Sequence, residues 1–100
     1  DFFKFTTKGH IDTIFDFNVA NDTIQLDNAV FPALGSAASI LSAAQFRVGA
    51  KALDANDHIV YNNATGALLY DPDGTGTAAA QQIATLSIQL ALTNADIAVI

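Results

Sequence analysis

The opening stretch Asp1-Phe2-Phe3-Lys4-Phe5-Thr6 sets Phe3 and Phe5 two apart, which puts both on one face of an extended segment. Thr7-Lys8-Gly9-His10 breaks it, and Ile11-Asp12-Thr13-Ile14-Phe15-Asp16-Phe17 follows, rich in the β-branched and aromatic residues that favour strands. After the turn residues Asn18–Asn21, Asp22-Thr23-Ile24-Gln25-Leu26-Asp27 alternates cleanly and directs Ile24 and Leu26 inward. Their closeness in sequence predicts that these two strands pair as a hairpin. From Asn28 to Ala44 the pattern changes to Ala, Ser and Leu, interrupted by Pro32 and Gly35. Pro and Gly limit any helix to a turn or two. Short helical pieces are therefore expected around 29–34, capped by Asp27 or Asn28, and around 39–44, capped by Ser39.

The second half reads as strands and turns. Phe46-Arg47-Val48 is a short strand, followed by a polar loop over 49–57. His58–Tyr61 and Ala67–Tyr70 flank Asn62-Asn63-Ala64-Thr65-Gly66, a hairpin connector with Gly at its end. A second loop, Asp71-Pro72-Asp73-Gly74-Thr75-Gly76, leads to a strand over 82–88. Thr93 is placed to cap one turn over Asn94-Ala95, and Asp96–Ile100 forms a terminal strand. About eight short strands with frequent turns predict a mostly β fold, either a short-strand β-sandwich or a β-roll, with one or two short helices. No full internal repeat is present, and 100 residues amount to one domain over 1–100.

Composition sharpens this picture. All ten acidic residues are Asp, and seven Asn and six Gly accompany them. Asp favours turns because its short carboxylate bonds nearby backbone N–H groups, whereas Glu favours helices. Asp-rich turns also suit hard cations such as calcium, which take several oxygen ligands. The net charge of −6 disfavours binding to nucleic acid and docking on anionic membranes. No apolar run approaches the ~20 residues of a membrane span, so no membrane insertion is expected. No cysteine is present, which excludes thiol, disulfide or zinc-thiolate chemistry.

Few residues carry candidate chemistry. The only imidazoles are His10 and His58; Asp57 and His58 are adjacent in a strand and point to opposite faces, so they form no dyad. No spacing selects a pair of carboxylates for glycoside cleavage, and no enzymatic activity is expected. Counted from Asp71, the second loop matches the calcium loop of an EF-hand at positions 1, 3, 5 and 6. Position 9 is Ala79 and position 12 is Gln82 rather than the bidentate Glu, so Asp71 and Asp73 build at most a weak site. The seven Phe residues are expected in the core.

Three blocks together resemble a known family. They are Asp12-Thr13-Ile14-x-Asp16-Phe17 with Asn21-Asp22-Thr23-Ile24-x-Leu26, the run from Asp57 to Gly76, and the ending Leu92-Thr93-Asn94-Ala95-Asp96-Ile97-Ala98-Val99-Ile100. They are similar to the C-terminal region of repeats-in-toxin proteins, the haemolysin-type calcium-binding and serralysin-like exoproteins. The resemblance implies the end cap of a parallel, calcium-binding β-roll, secreted to the extracellular medium by the type I system of a Gram-negative bacterium. Its partners would be the upstream roll repeats of the same chain and the type I transporter. Asp1 would match the last Asp of a calcium-binding nonapeptide. Asp12 and Asp16 would complete sites with the roll; in a straight strand they lie about 13 Å apart, too far to share one ion. Asp96, Ile97, Ala98, Val99 and Ile100 would be the secretion signal, read while unfolded and a closing strand afterwards. The Gly-Gly-x-Gly-x-Asp nonapeptides themselves are absent from these 100 residues. A surface-adhesion or polymer-binding module, which would need an exposed aromatic or acidic groove, and a regulatory piece of an extracellular hydrolase are the alternatives.

Overall fold

The computed structural model describes residues 2–6, 11–35, 38–74 and 80–100, and Asp1 lies outside them. Among the described residues, nine short strands form two mixed sheets, as the mostly β expectation requires, and the only helical pieces are single 3-10 turns. The first sheet takes β1 (Phe2–Phe5), β3 (Thr23–Leu26), β9 (Ile97–Val99) and β4 (Ser39–Ile40), in the order β1-β3-β9-β4. The second takes β2 (Asp12–Ile14), β8 (Gln81–Leu86), β7 (Ala67–Tyr70), β6 (Ile59–Tyr61) and β5 (Phe46–Val48), in the order β2-β8-β7-β6-β5.

The alternation of β3 decides what it buries. Ile24 and Leu26 are completely buried and lie in register with Ile97 and Val99 of β9, while Phe5 of β1 sits beside Leu26. Residues paired across neighbouring strands share a face, so this row makes one wall of the core. The other wall comes from Ile59 and Tyr61 of β6, Leu68 and Tyr70 of β7, and Ile83 and Leu86 of β8. Tyr61 is wholly buried yet satisfied: its hydroxyl donates to the Ser87 carbonyl at 2.6 Å and accepts the Leu90 N–H at 3.2 Å. Phe31, from the 28–34 segment, meets Tyr70 edge-on at 4.9 Å, and the Tyr70 hydroxyl accepts the Ala33 N–H at 3.2 Å.

The hairpin of β6 and β7 forms as predicted. Asn62 N–H donates to the Ala67 carbonyl at 2.8 Å and Gly66 N–H to the Asn62 carbonyl at 2.7 Å, closing the five-residue connector. The expected hairpin between 11–17 and 22–27 does not form. β2 joins β8 in one sheet, whereas β3 runs parallel to β1 and β9 in the other. Alternation fixes which face a strand buries and leaves its partner open. The second strand is also shorter than expected. Ile14 and Phe17 are both buried although three apart, which a straight strand cannot achieve, so the chain bends at Phe15 and exposes it.

Two further corrections concern the middle. Ser39 belongs to β4, and the 3-10 turn of that region is Ala43–Gln45, following Ser42. The other turn is Pro32–Leu34, with Asp27 accepting the Ala29 N–H at 2.9 Å ahead of it. Of the seven Phe residues, Phe5, Phe17 and Phe31 are buried and Phe3 and Phe46 pack against the core. Phe2 and Phe15, by contrast, are 71% and 78% exposed.

Candidate functional site

The residues singled out from the sequence fall in three places. The first is the loop after β7. Asp71 N–H donates to the His58 carbonyl at 2.8 Å, and His58 Nδ1 lies 2.8 Å from the Asp71 carbonyl oxygen. A carbonyl only accepts, so Nδ1 carries the proton. This pair of bonds extends the β6–β7 ladder by one step and turns the Asp71 side chain into a buried position. Its Oδ1 then accepts the Asp73 N–H at 3.3 Å. Burial raises the pKa of the Asp71 carboxyl, and the neighbouring Asp73 carboxyl raises it further, against the lowering effect of the Asp73 and Gly74 N–H groups.

Gly74 lets this loop lie against another. Its φ is +64°, and a Cβ there would stand 2.4 Å from the Asp54 carbonyl oxygen and 2.7 Å from that of Ala55. Asp71 and Asp73 thus bring two neighbouring carboxyl groups to this corner of the molecule, where the Asp54 and Ala55 carbonyls close on Gly74. All are oxygen donors, the set a hard cation takes, although a calcium ion needs about six to eight and water would supply the rest. Gln82, the counterpart of an EF-hand's closing Glu, donates from Nε2 to Thr85 Oγ1 at 2.8 Å and is fixed along β8 instead. Positions 75 to 79 lie outside the described residues.

The second place is the polar loop over 49–57. Asp57 is 1% exposed and accepts Arg47 Nε–H at 2.6 Å, Leu53 N–H at 2.9 Å and Asp54 N–H at 3.1 Å, all on Oδ2. Burial alone would raise its pKa and is the largest single influence. The Leu53 N–H, the Arg47 guanidinium and the Asp54 N–H outweigh it together, so the carboxyl sits below its ordinary 3.8. Asp57 thereby anchors the segment whose carbonyls meet Gly74. Asp57 and His58 are committed to different partners, and both precede β6 rather than lying in a strand as expected.

Because its folded-state pKa is depressed, the stability that Asp57 supplies is present above about pH 3.8 and is lost as pH falls through the lower folded value. Asp57→Asn is expected to cost about 2 kcal/mol at neutral pH, the range for hydrogen bonds to a charged group. Denaturant melts at a series of pH values check this: the variant loses the part of the acid-side decline that Asp57 contributes. Asp71 has the opposite sign. Its raised folded pKa means that its ionised form weakens the fold above that value, and acidification from there towards 3.8 relieves the weakening.

The third place is the two edges and the terminus. Asp12 and Asp16 are both exposed, on either side of the bend at Phe15. Among the described residues, no group of three or more His, Cys, Asp or Glu side chains gathers in a metal-holding arrangement. Asp96 ends the 3-10 turn Asn94–Asp96 and accepts the Thr93 N–H at 2.9 Å, half of a capping box. Ile97, Ala98 and Val99 then form β9, flanked on both sides, with Ile97 and Val99 buried. Ile100 N–H donates to the Leu26 carbonyl and the Ile100 carbonyl accepts the Asn28 N–H, both at 2.9 Å. The terminal strand is thus a central strand of its sheet.

No protein-family model, curated protein or solved structure matches this chain. The Arg47–Asp57 anchor was legible only in part: the single arginine of the chain and the Asp54-x-Asn56-Asp57 run were visible, but not their meeting. The carbonyls of Asp54 and Ala55 leave no trace in sequence, since every residue type carries one.

Proposed function

We propose that this chain is a non-catalytic C-terminal cap of a calcium-binding parallel coil of the repeats-in-toxin kind, exported by a type I system through its last residues. One observation carries the capping part: β1 and β2, consecutive in the chain, are the outer strands of the two different sheets, and among the described residues each is paired in parallel on its inner side only. A strand at an edge offers unpaired N–H and C=O groups to whatever strand comes beside it, and terminal units of repeat proteins exist to close such ends. Phe2 on β1, Ile11 just before β2 and Phe15 just after it are exposed apolar residues at the same two strands.

In this reading Asp71 and Asp73 hold a calcium ion weakly, with the Asp54 and Ala55 carbonyls beside them. The ion would neutralise two carboxylates whose closeness works against both being ionised. Asp12 and Asp16 belong to the side facing the coil, and Asp1, outside the described residues, would serve the last nonapeptide. Asp96 to Ile100 serve the transporter while the chain is unfolded.

Two measurements test it. Thermal melts with and without calcium should show the ion raising Tm of the parent and not of Asp71→Asn, since a ligand stabilises only the form it binds. Without calcium at neutral pH, Asp71→Asn should melt above the parent, because it removes a buried charge. Equal calcium responses in the two would remove the loop from the proposal. Amide hydrogen exchange of β1 and β2 should slow when Gly/Asp nonapeptides precede Phe2 and calcium is present. Unchanged exchange there would refute the cap.

A further inference from the structure

Two Asn-x-Thr triplets stand in the chain, Asn21-Asp22-Thr23 and Asn63-Ala64-Thr65. An asparagine with Ser or Thr two residues on, and no Pro between, is the acceptor triplet of N-glycosylation. The modification is bulky and hydrated, so it suits only a triplet that a transferase reaches at the surface. The fold treats the two triplets differently.

Thr23 begins β3, where it pairs with Phe2 of β1. Asp22 is held by backbone and side chain alike: its N–H reaches the Asn18 carbonyl at 2.7 Å, and its carboxylate accepts the Asn18 N–H at 2.9 Å. This triplet runs from a closed turn straight into a sheet. Lifting it into a transferase's cleft would undo the start of the β1–β3 pairing.

Asn63-Ala64-Thr65 lies wholly within the connector between β6 and β7, and none of the three belongs to a strand. Ala64 and Thr65 are exposed, and Asn63 is half-buried. Its neighbour Asn62 supplies the side chain that braces the turn, accepting the Ala64 N–H at 3.0 Å. The Asn63 carbonyl accepts both the Gln89 N–H, at 2.9 Å, and Gln89 Nε2, at 3.2 Å. The main chain of Asn63 is thereby fixed, while its carboxamide makes no hydrogen bond to a described residue. Thr65 Oγ1 accepts the Ala67 N–H at 3.3 Å, which leaves its own hydroxyl proton to donate.

We infer that Asn63 is an N-glycosylation acceptor, taking a hexose from a nucleotide-diphosphate sugar through a separate transferase. Asn63 Nδ2 bonds to the anomeric carbon and loses one proton. The bond from that carbon to the diphosphate breaks, and the nucleotide diphosphate leaves with the electron pair. Because β6 and β7 are inner strands of the second sheet, the sugar adds to neither open edge, and the inference does not rest on the cap reading.

Peptide mass spectrometry of the protein from the cells that make it should find a hexose on Asn63 and none on Asn21. An unmodified Asn63 there overturns the inference. Purified protein, UDP-glucose and an N-glycosyltransferase that reads Asn-x-Ser/Thr test its structural reason. The folded parent should gain a single glucose, on Asn63. Asn63→Gln and Thr65→Ala should lose it, and Thr65→Ser should keep it. Ile97→Asp, unfolded by a charge at a completely buried position, should gain a second glucose on Asn21. Equal labelling of Asn21 and Asn63 in the folded parent, or labelling of Asn63 only in Ile97→Asp, would refute the inference.

Discussion

Removal of Asp96–Ile100 is expected to leave a chain that does not fold, whatever it does to export. β9 separates β3 from β4, so the deletion takes the middle out of the first sheet rather than trimming its end. Ile97 and Val99 are buried against Ile24 and Leu26, and losing buried aliphatic side chains of this size costs about 2–5 kcal/mol each. The backbone bonds of Ile97 to Leu41 and of Ile100 to Leu26 and Asn28 go with them. Against a total stability of about 5–15 kcal/mol for a domain, that loss is decisive. Circular dichroism should show no cooperative melt. Export must therefore be judged with a control that unfolds the domain and keeps its terminus. Ile24→Asp buries an unpaired charge in the opposite strand and serves that purpose. If the terminal residues are the signal, Ile24→Asp is secreted and the deletion is not. Equal secretion of both would dismiss the signal.

Gly66→Ala is expected to destabilise the domain by about 3–5 kcal/mol, among the largest effects of any single substitution. Gly66 has φ +83°, which costs an L-residue about 1–2 kcal/mol, and a Cβ built there falls 2.0 Å from the Leu86 carbonyl oxygen. That oxygen belongs to the backbone of β8 and cannot swing away as a side chain would. Gly66 is also tied in place by its own bonds, its N–H to the Asn62 carbonyl and its carbonyl accepting the Leu86 N–H, both at 2.7 Å. Relief therefore means moving β7 from β8. Chemical denaturation of the variant measures the loss. Gly35→Ala is the informative contrast: Gly35 has φ +92° with nothing near its absent Cβ, so only the conformational part should appear. Similar losses at the two positions would show that the approach to β8 carries no weight.

The strands were legible where the side chains alternate and the turns carry Asp, Asn or Gly. β3, the β6–β7 hairpin and β9 follow from Ile24 and Leu26, from the Asn62–Gly66 connector, and from Ile97 and Val99. What the sequence left open is which strands become neighbours. Asn18–Asn21 looked like a hairpin turn, and it is closed by local bonds: Asp22 N–H reaches the Asn18 carbonyl at 2.7 Å, and Asn18 N–H the Asp22 carboxylate at 2.9 Å. Yet the turn delivers the chain to the opposite sheet. Local chemistry bends a chain, and long-range burial chooses its destination.

The candidate site divides in the same way. Asp71, Asp73 and Gly74 were visible because loops that gather carboxylates have a recognisable residue order. The second side of the corner was not, because it consists of main-chain oxygens held by a carboxylate, Asp57, that reads as one more polar loop residue. The bend at Phe15 was encoded all along in the three-residue interval between Ile14 and Phe17.

The placement of β9 also sets a schedule. Its neighbours β3 and β4 end at Leu26 and Ile40, whereas β9 begins at Ile97, so both are synthesised well before the piece that must slip between them. The first sheet therefore cannot close until β9 has left the ribosome, and until then the facing edges of β3 and β4 stay open to any machinery that acts faster than the sheet can be completed.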